Sequence, residues 1–269
     1  MNNMVMINNL SFKYENNVVF DNLCLSIKKG VFTTILGNNG CGKSTLLRLI
    51  SGLYNSNSSI MIDGVLLCDN TLSLIRRKIG VVFDNPDNSL FSETVLEDLA
   101  FPLENLNCSS DYILSRVNMV SSYLGIDHLL NRNPRELSGG EKQLVCLGCA
   151  LITGPELLIL DEAFSMLDDI SRVNMLLLLK RINKDFGTTI LNITHDIEES
   201  VYGNDILIID SGNVIIHDSK ENVYKQEKLL KSLSFDLPFM VSLSNKLSYY
   251  DMVSDIIFDM DEMVDLLWK

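Results

Sequence analysis

Long apolar runs are missing from this chain of 269 residues. Stretches such as Met175 to Leu179 or Ile206 to Ile209 fall far short of the roughly 20 residues a membrane-spanning helix needs. The start, Met1-Asn2-Asn3-Met4, has no basic region and no signal-peptide shape. A cytosolic chain is expected, with any membrane association made through partners. Positive charge is scarce: 22 Lys and Arg stand against 35 Asp and Glu, a net charge of −13. A phosphate backbone would be repelled over most of such a surface, which argues against nucleic acid as a partner. The one tight basic cluster, Arg76-Arg77-Lys78, reads as a solvated helix end. Only three histidines are present, and His128 and His217 lack a context for chemistry. Six cysteines are scattered, and Cys146 and Cys149 form a single C-x-x-C with no second pair. That pattern excludes a zinc framework and reads as small buried residues of a helix. No long heptad segment occurs. The apolar share of 46% is enough for a large core.

What is present is a phosphate-binding loop, Gly37-Asn38-Asn39-Gly40-Cys41-Gly42-Lys43-Ser44-Thr45. The apolar, β-branched run Val31 to Leu36 before it predicts a buried strand. After it, Leu46, Leu47, Leu49 and Ile50 have helical spacing over 43–53. Strand, glycine loop and helix are the frame this motif requires. The glycines let the backbone wrap an anion closely, and the amides and dipole of the helix start attract the phosphates of a nucleotide. Lys43 is expected at the β- and γ-phosphates, Ser44 on Mg²⁺ and Thr45 at the α-phosphate. Cys41 puts a thiol inside this loop, where alkylation is expected to reach it.

A second continuous apolar strand, Leu157 to Leu160, ends in Asp161-Glu162. Carboxylates at the C-terminal end of a buried parallel strand lie at the crevice where ligands bind. Beside a phosphate loop, Asp161 is expected to hold the Mg²⁺ hydration shell and Glu162 to polarise the attacking water as general base. The β-type run Thr189 to Ile193 ends in Thr194-His195-Asp196, which puts His195 on the same edge of the sheet. Leu137-Ser138-Gly139-Gly140-Glu141 opens a helix over about 141–152. Ser138 is a natural N-cap, and this helix start is a second anion site.

The phosphate loop, the Ser138-Gly139-Gly140 signature and the Asp161-Glu162 strand together resemble the ATP-binding-cassette ATPases. The resemblance covers residues 4 to about 225. It implies an α/β fold: a P-loop NTPase with a RecA-like core, a flanking antiparallel β-subdomain and an inserted α-helical subdomain over about 88–152. It also implies that Ser138, Gly139 and Gly140 complete the active site of a second subunit, head to tail, with ATP between the two chains. His195 resembles the switch histidine that contacts the γ-phosphate. Ser165-Met166-Leu167-Asp168 falls where the family has its intersubunit D-loop, and Tyr14 where an aromatic stacks on adenine. One phosphate loop means one cassette.

The strands that would form the β-subdomain are read over 4–14, 18–27 and 60–67, with a polar loop over 55–59. Helices are read over 93–99 and 111–124, the latter with Ile113, Val117, Val120 and Leu124 on one face. Residues 1–225 make the nucleotide-binding domain, and 226–269 a C-terminal helical extension. From Phe235 onward the extension carries seven acids and two lysines. Val253, Ile256, Met260, Val264 and Leu267 recur at three- and four-residue steps, an amphipathic acidic helix. It either packs on its own domain or serves dimerisation.

Three shorter stretches narrow the family. Val82-Phe83-Asp84-Asn85-Pro86-Asp87-Asn88, Leu160 to Asp168, and Phe235-Asp236-Leu237-Pro238-Phe239 resemble the ATPases of energy-coupling-factor transporters, the first of their two types in particular. That resemblance implies an ATPase driving uptake of a vitamin or metal ion. Its partners would be a second, identical or different, ATPase subunit, a transmembrane coupling protein and a substrate-binding membrane protein. The place would be the cytoplasmic face of the membrane. The chain departs from the family at Asp84, usually Gln; at Phe164, usually Thr; at Glu141, more often Gln; and at Leu144, usually Arg. Asp84 is expected beside Mg²⁺ and the attacking water, where its charge bears on the site. The alternatives are the ATPase of another ABC transporter class, a soluble ABC scaffold, and a regulatory subunit with weak turnover.

Overall fold

The computed structural model describes residues 2–15, 17–56 and 59–268. The chain opens with two long strands, Asn3–Tyr14 (β1) and Asn17–Lys28 (β2). In β2, Leu23, Leu25 and Ile27 are buried at every second residue, the alternation of a half-buried strand. Phe32–Leu36 (β3) is buried throughout and leads into Lys43–Ile50 (α1). Then come Ile60–Ile62 (β4), Val65–Leu66 (β5), Leu72–Arg76 (α2) and Ile79–Val82 (β6). A helical layer follows: Val95–Glu104 (α3), Ser110–Leu124 (α4) and Gly139–Leu151 (α5). The chain returns through Leu157–Asp161 (β7), Asp169–Phe186 (α6), Thr189–Thr194 (β8), Asp205–Asp210 (β9) and Asn213–Ser219 (β10). Four helices close it: Lys220–Tyr224 (α7), Glu227–Ser232 (α8), Phe239–Ser248 (α9) and Met260–Leu267 (α10).

Two sheets result. The smaller is antiparallel, in the order β2-β1-β4-β5. The larger runs β10-β9-β3-β8-β7-β6, parallel except for β10. One core lies between the sheets and α1, where Phe20, Leu46 and Ile159 meet. A second joins the other face of the large sheet to α3–α6 through Leu99, Val117, Val145 and Leu179. Ile113, Val117, Val120 and Leu124 face that core as their spacing predicts. Phe164, where the family usually has Thr, is fully buried in it, and Leu144 packs at its edge. The helical layer is also tied to the core by buried Gln143, whose amide donates to the carbonyls of Phe83 (3.0 Å) and Ala163 (2.6 Å).

Several expectations are corrected. The strand read over 60–67 is two strands, because Asp63 and Gly64 turn the chain at φ 48° and 75°. The first helix stops at Ile50 rather than Leu53, where Gly52 takes φ 68° and the Leu53 N–H returns to the Arg48 carbonyl. Of the polar loop at 55–59, residues 57 and 58 lie outside the described residues. Lys78 is not a solvated helix end. It bonds Asp63 (2.5 Å) and Glu156 (3.0 Å), which also receive Lys29 at 2.9 and 2.5 Å. Four charges of alternating sign thus join the small sheet to the entrance of β7, and the lysines hold both carboxyls below their usual pKa.

The amphipathic helix read from Val253 to Leu267 is not continuous. Asp251 takes φ 57°, and the Ser244 hydroxyl of α9 bonds both backbone groups of Ile257. This pulls 253–258 out of helical conformation, and only α10 remains. The buried residues are Val253, Ile257 and Met263, packed on Met240, Leu243 and Leu247. Met260 and Val264 stay half exposed. The extension docks on its own chain through Leu230, Phe235 and Val241 against Leu36, Ile206 and Ile208.

Candidate functional site

Parallel pairing brings four strand ends to one edge. Val82 pairs with Leu160, Asp161 with Ile193, and Thr194 with Leu36. The segments leaving that edge therefore line up in the order Phe83-Asp84, Glu162, His195 and the phosphate loop.

The phosphate loop folds as it does because of its glycines. A Cβ on Gly37 would sit 2.5 Å from the Ile209 carbonyl oxygen and 2.4 Å from the Cys41 sulfur. Gly42 takes φ 111°, and its Cβ would press on Phe20. The loop is thus held by β9 on one side and β2 on the other. Lys43 is buried, and its ammonium donates to the carbonyls of Gly37 (2.7 Å) and Asn38 (3.2 Å). Asn38, Asn39 and Gly40 are exposed. Cys41 is buried, and burial pushes its thiol pKa up. Both features oppose the expected alkylation, since the thiolate is the reactive form.

Glu162 stands at φ 48°, in the left-handed region a glutamate seldom visits. Its backbone is pinned there by an N–H bond to the Ile193 carbonyl at 2.9 Å. A residue held so is a feature of functional sites. One carboxylate oxygen lies 3.7 Å from Lys43 Nζ, the other 3.1 Å from His195 Nδ1. Ser44 Oγ donates to Asp161 Oδ1 at 3.2 Å. Burial raises the pKa of Asp161 above the usual carboxylate range. The Ser44 bond opposes this, and the charges of Glu162 and Asp84 reinforce it. Asp84, exposed after β6, is therefore electrostatically part of the site.

The donors fit Mg²⁺. A hydroxyl, a carboxylate and a second carboxylate nearby are hard oxygen ligands, and Mg²⁺ binds through one or two carboxylates plus phosphate and water. Among the described residues no group of three or more His, Cys, Asp or Glu makes a preformed cage, as expected where phosphate and water complete the shell.

Tyr14 ends β1 with its hydroxyl 3.3 Å from Thr45 Oγ1. Its ring meets Phe12 and Tyr54 edge-on, with centroids 5.1 and 5.8 Å away. An aromatic wall thus flanks the phosphate-loop helix. Tyr54 and Arg48, whose guanidinium lies over the Tyr54 ring, belong to this wall and gave no sequence signal.

Ser138 caps α5 in a reciprocal box. Its hydroxyl and amide both donate to Glu141 Oε2 at 2.8 Å, and the Glu141 N–H returns to Ser138 Oγ at 3.4 Å. These bonds hold the Glu141 carboxyl below its usual pKa. Among the described residues no hydrogen bond or ion pair joins Ser138, Gly139 or Gly140 to the phosphate loop. Gly140 lies instead beside Ser171 in the first turn of α6.

Three features escaped sequence reading. Glu199 is buried on the 3-10 turn Ile197–Tyr202 and accepts the Asn192 amide at 2.7 Å; burial raises its pKa to about 7. Asn38 donates to the Leu233 carbonyl at 3.3 Å, so the extension touches the phosphate loop. Asp196 pairs with Arg172 of α6 at 3.1 Å. Of these, Asp196 alone had a cue, its place next to His195.

The chain matches the family described as ABC transporter over residues 20–165. It is 37% identical over 266 residues to the energy-coupling factor transporter ATP-binding protein EcfA of Pediococcus pentosaceus, covering 97% of this chain and 95% of that one. It is 38% identical over 251 residues to EcfA1 of Lactobacillus gasseri, covering 91% and 88%. Among solved structures it resembles cbiO1 of Clostridium perfringens, described as part of the ABC transporter complex cbiONQ. There the TM-score is 0.79 at 28% identity, over 94% of this chain and all of the other. It also resembles a dimeric ATP-binding cassette in a post-hydrolysis state with ADP and Pi, with TM-score 0.71 and 30% identity, over 80% and 98%.

Proposed function

The chain belongs to the ABC transporter family, among the ATP-binding proteins of energy-coupling factor transporters, and from that premise we propose how its site turns ATP hydrolysis into import. It binds and hydrolyses ATP as the motor subunit of an energy-coupling-factor-type importer. One observation carries the mechanism: the Glu162 carboxylate, held in a rare backbone conformation, lies between Lys43 and His195 beside the Ser44–Asp161 pair.

In this reading Tyr14 stacks on the adenine. The amides of Gly37 to Thr45 wrap the phosphates, and Lys43 turns from the Gly37 and Asn38 carbonyls to the β- and γ-oxygens. Ser44, Asp161 and Asp84 would hold Mg²⁺, which would supply neutralisation of the phosphate charge. Glu162 takes the proton of the attacking water. His195 orients that carboxylate and contacts the γ-phosphate. Ser138, Gly139 and Gly140, which among the described residues no hydrogen bond or ion pair joins to their own phosphate loop, serve the ATP of a second ATPase subunit. Hydrolysis then parts the two subunits. A transmembrane coupling protein and a substrate-binding membrane protein complete the assembly, and the cargo is a vitamin or metal ion. The proposed place is the cytoplasmic face of the membrane, reached through these partners; among the described residues no helix is long and apolar enough to cross a membrane.

The test is Glu162→Gln. The variant is expected to bind ATP, to accumulate as a closed dimer and to hydrolyse about 10²- to 10⁴-fold more slowly. Gel filtration with ATP and single-turnover hydrolysis measure both. Near-normal hydrolysis would place the base elsewhere.

A further inference from the structure

The contact between Asp196 and Arg172 joins two parts of the site that the sequence keeps apart. Asp196 follows His195 directly. Its Oδ1 accepts the Glu198 N–H at 2.9 Å and starts the 3-10 turn, while Oδ2 receives the Arg172 guanidinium at 3.1 Å. Arg172 stands in the first turn of α6, its own N–H bonded to the Asp168 carbonyl at 2.9 Å. Asp168 caps that turn by accepting the Ser171 N–H (3.0 Å) and hydroxyl (2.7 Å). It also ends the short loop 165–168, whose first residue is tied back to Glu162: the Ser165 N–H bonds the Glu162 carbonyl at 3.1 Å. The circuit therefore closes. Glu162 leads through the loop to Arg172, Arg172 to Asp196, Asp196 to His195, and His195 Nδ1 back to Glu162 at 3.1 Å.

The pair is not needed to dock α6. Met175, Leu176, Leu179 and Ile182 already bury that helix. The side chains of Arg172 and Asp196 remain 26% and 27% exposed, and ion pairs open to solvent add little stability. What the pair does add is position. It fixes the residue after His195 to the helix that the loop enters. The loop is a surface element, with Ser165 and Asp168 exposed and Met166 at 72% exposure.

We propose that Arg172 and Asp196 are positioning residues which set His195 against Glu162, by tying the segment after His195 to the first turn of α6. This rests on the hydrolytic reading above. A small displacement of a catalytic group is enough to matter, since misplacement by about 1 Å can cost about 100-fold in rate.

The test is a double-mutant cycle on the full chain in its ATPase assembly. Arg172→Met removes the guanidinium. Asp196→Asn removes the charge but keeps an oxygen to cap the 3-10 turn. Each single variant is expected to lower kcat about 10- to 100-fold with KM for ATP within about twofold. The double variant is expected to be no slower than the slower single. Arg172→Lys is expected to recover part of the loss, and Asp169→Asn, which removes the exposed second partner of Arg172, to leave kcat unchanged. If Arg172→Met fails to fold, Asp196→Asn and Arg172→Lys decide. A second readout needs no turnover. Only three histidines are present, so the imidazole resonance of His195 is assigned by its loss in His195→Ala. It is expected to shift in both single variants. Wild-type kcat in either single variant, multiplying losses in the double, or an unmoved His195 resonance overturns the proposal. Turnover that survives Glu162→Gln would instead defeat the hydrolytic reading, which the resonance test leaves separate.

Discussion

Asp84 carries the charge that sets this site apart. The neutral glutamine usual at the position would offer an amide oxygen to Mg²⁺ and water. Asp84 is shorter and adds to the charges that hold the Asp161 pKa up. The repulsion between these carboxylates and a triphosphate is strongest when no cation lies between them. Nucleotide binding should therefore depend strongly on Mg²⁺. Asp84→Gln is expected to relax that dependence and to leave ATPase activity equal or higher, read by nucleotide titrations across Mg²⁺ concentrations. Markedly lower activity with unchanged Mg²⁺ dependence would make Asp84 an adapted ligand. Glu199 gives a second prediction at this scale. Burial lifts its pKa from 4.5 to about 7, with Asp196 adding to the rise and the Asn192 bond opposing it. A folded-state pKa above the unfolded one means that the folded chain binds the extra proton. The stability this contributes is fully present below pH about 4.5 and is lost as pH rises through about 7, on the order of 3 kcal/mol in all. Glu199→Gln keeps the oxygen that accepts from Asn192 and should flatten the fall of melting temperature between pH 5 and 7.5. An unchanged slope would assign the fall to other groups.

Among the elements, the phosphate loop depends on close approach of backbones. Gly37 runs against β9, where a Cβ would meet the Ile209 carbonyl oxygen at 2.5 Å. A backbone atom of a central strand cannot turn aside as a flexible side chain can. Gly37→Ala should therefore shift the loop, destabilise the fold by about 1–3 kcal/mol and weaken ATP binding at least tenfold. Thermal denaturation and a fluorescent nucleotide measure the two effects. Wild-type affinity would mean that the loop relaxes without losing its cradle. The signature helix is built differently. Its first turn is satisfied within the chain by the Ser138–Glu141 box, so it is formed before any second subunit arrives.

For the whole molecule the question is where force leaves the site. A groove beside 85–91 runs between the helical layer and β6, lined by Arg76, Arg77, Ser89, Leu90 and Cys149. Asp87, two residues before Ser89, pairs with Lys142 of the signature helix at 2.6 Å. A basic coupling segment of a membrane subunit would compete with Lys142 for Asp87, and so would act on the helix that bears Ser138. Asp87→Arg reverses the charge and sets it against Lys142. It is expected to weaken assembly with the membrane subunit while leaving nucleotide affinity unchanged, as co-purification and nucleotide titration would show. Normal assembly and transport would exclude this docking place.

Much of this molecule is legible in the local chemistry of its chain. The glycines of 37–42, the apolar runs into Leu36 and Leu160, and the Ser138 cap each act over a few residues, so strand, loop and helix starts follow from the sequence. Neighbouring strands lie side by side in a parallel sheet, which is why Asp161, Glu162 and His195 fall on one edge by sequence reasoning alone. The relative arrangement of remote segments is not legible in this way. Spacing alone makes one helix of 253–267, yet the Ser244 hydroxyl bonds to Ile257 and the turn at Asp251 break it. Lys78 reads as solvated because Asp63 and Glu156 are 15 and 78 residues away. The Arg172–Asp196 contact leaves no pattern, since an ion pair between remote positions has no period. Sequence decides what acts within a turn or along a strand. Tertiary structure decides which charges meet, because only the packed chain fixes the distances on which their interaction depends.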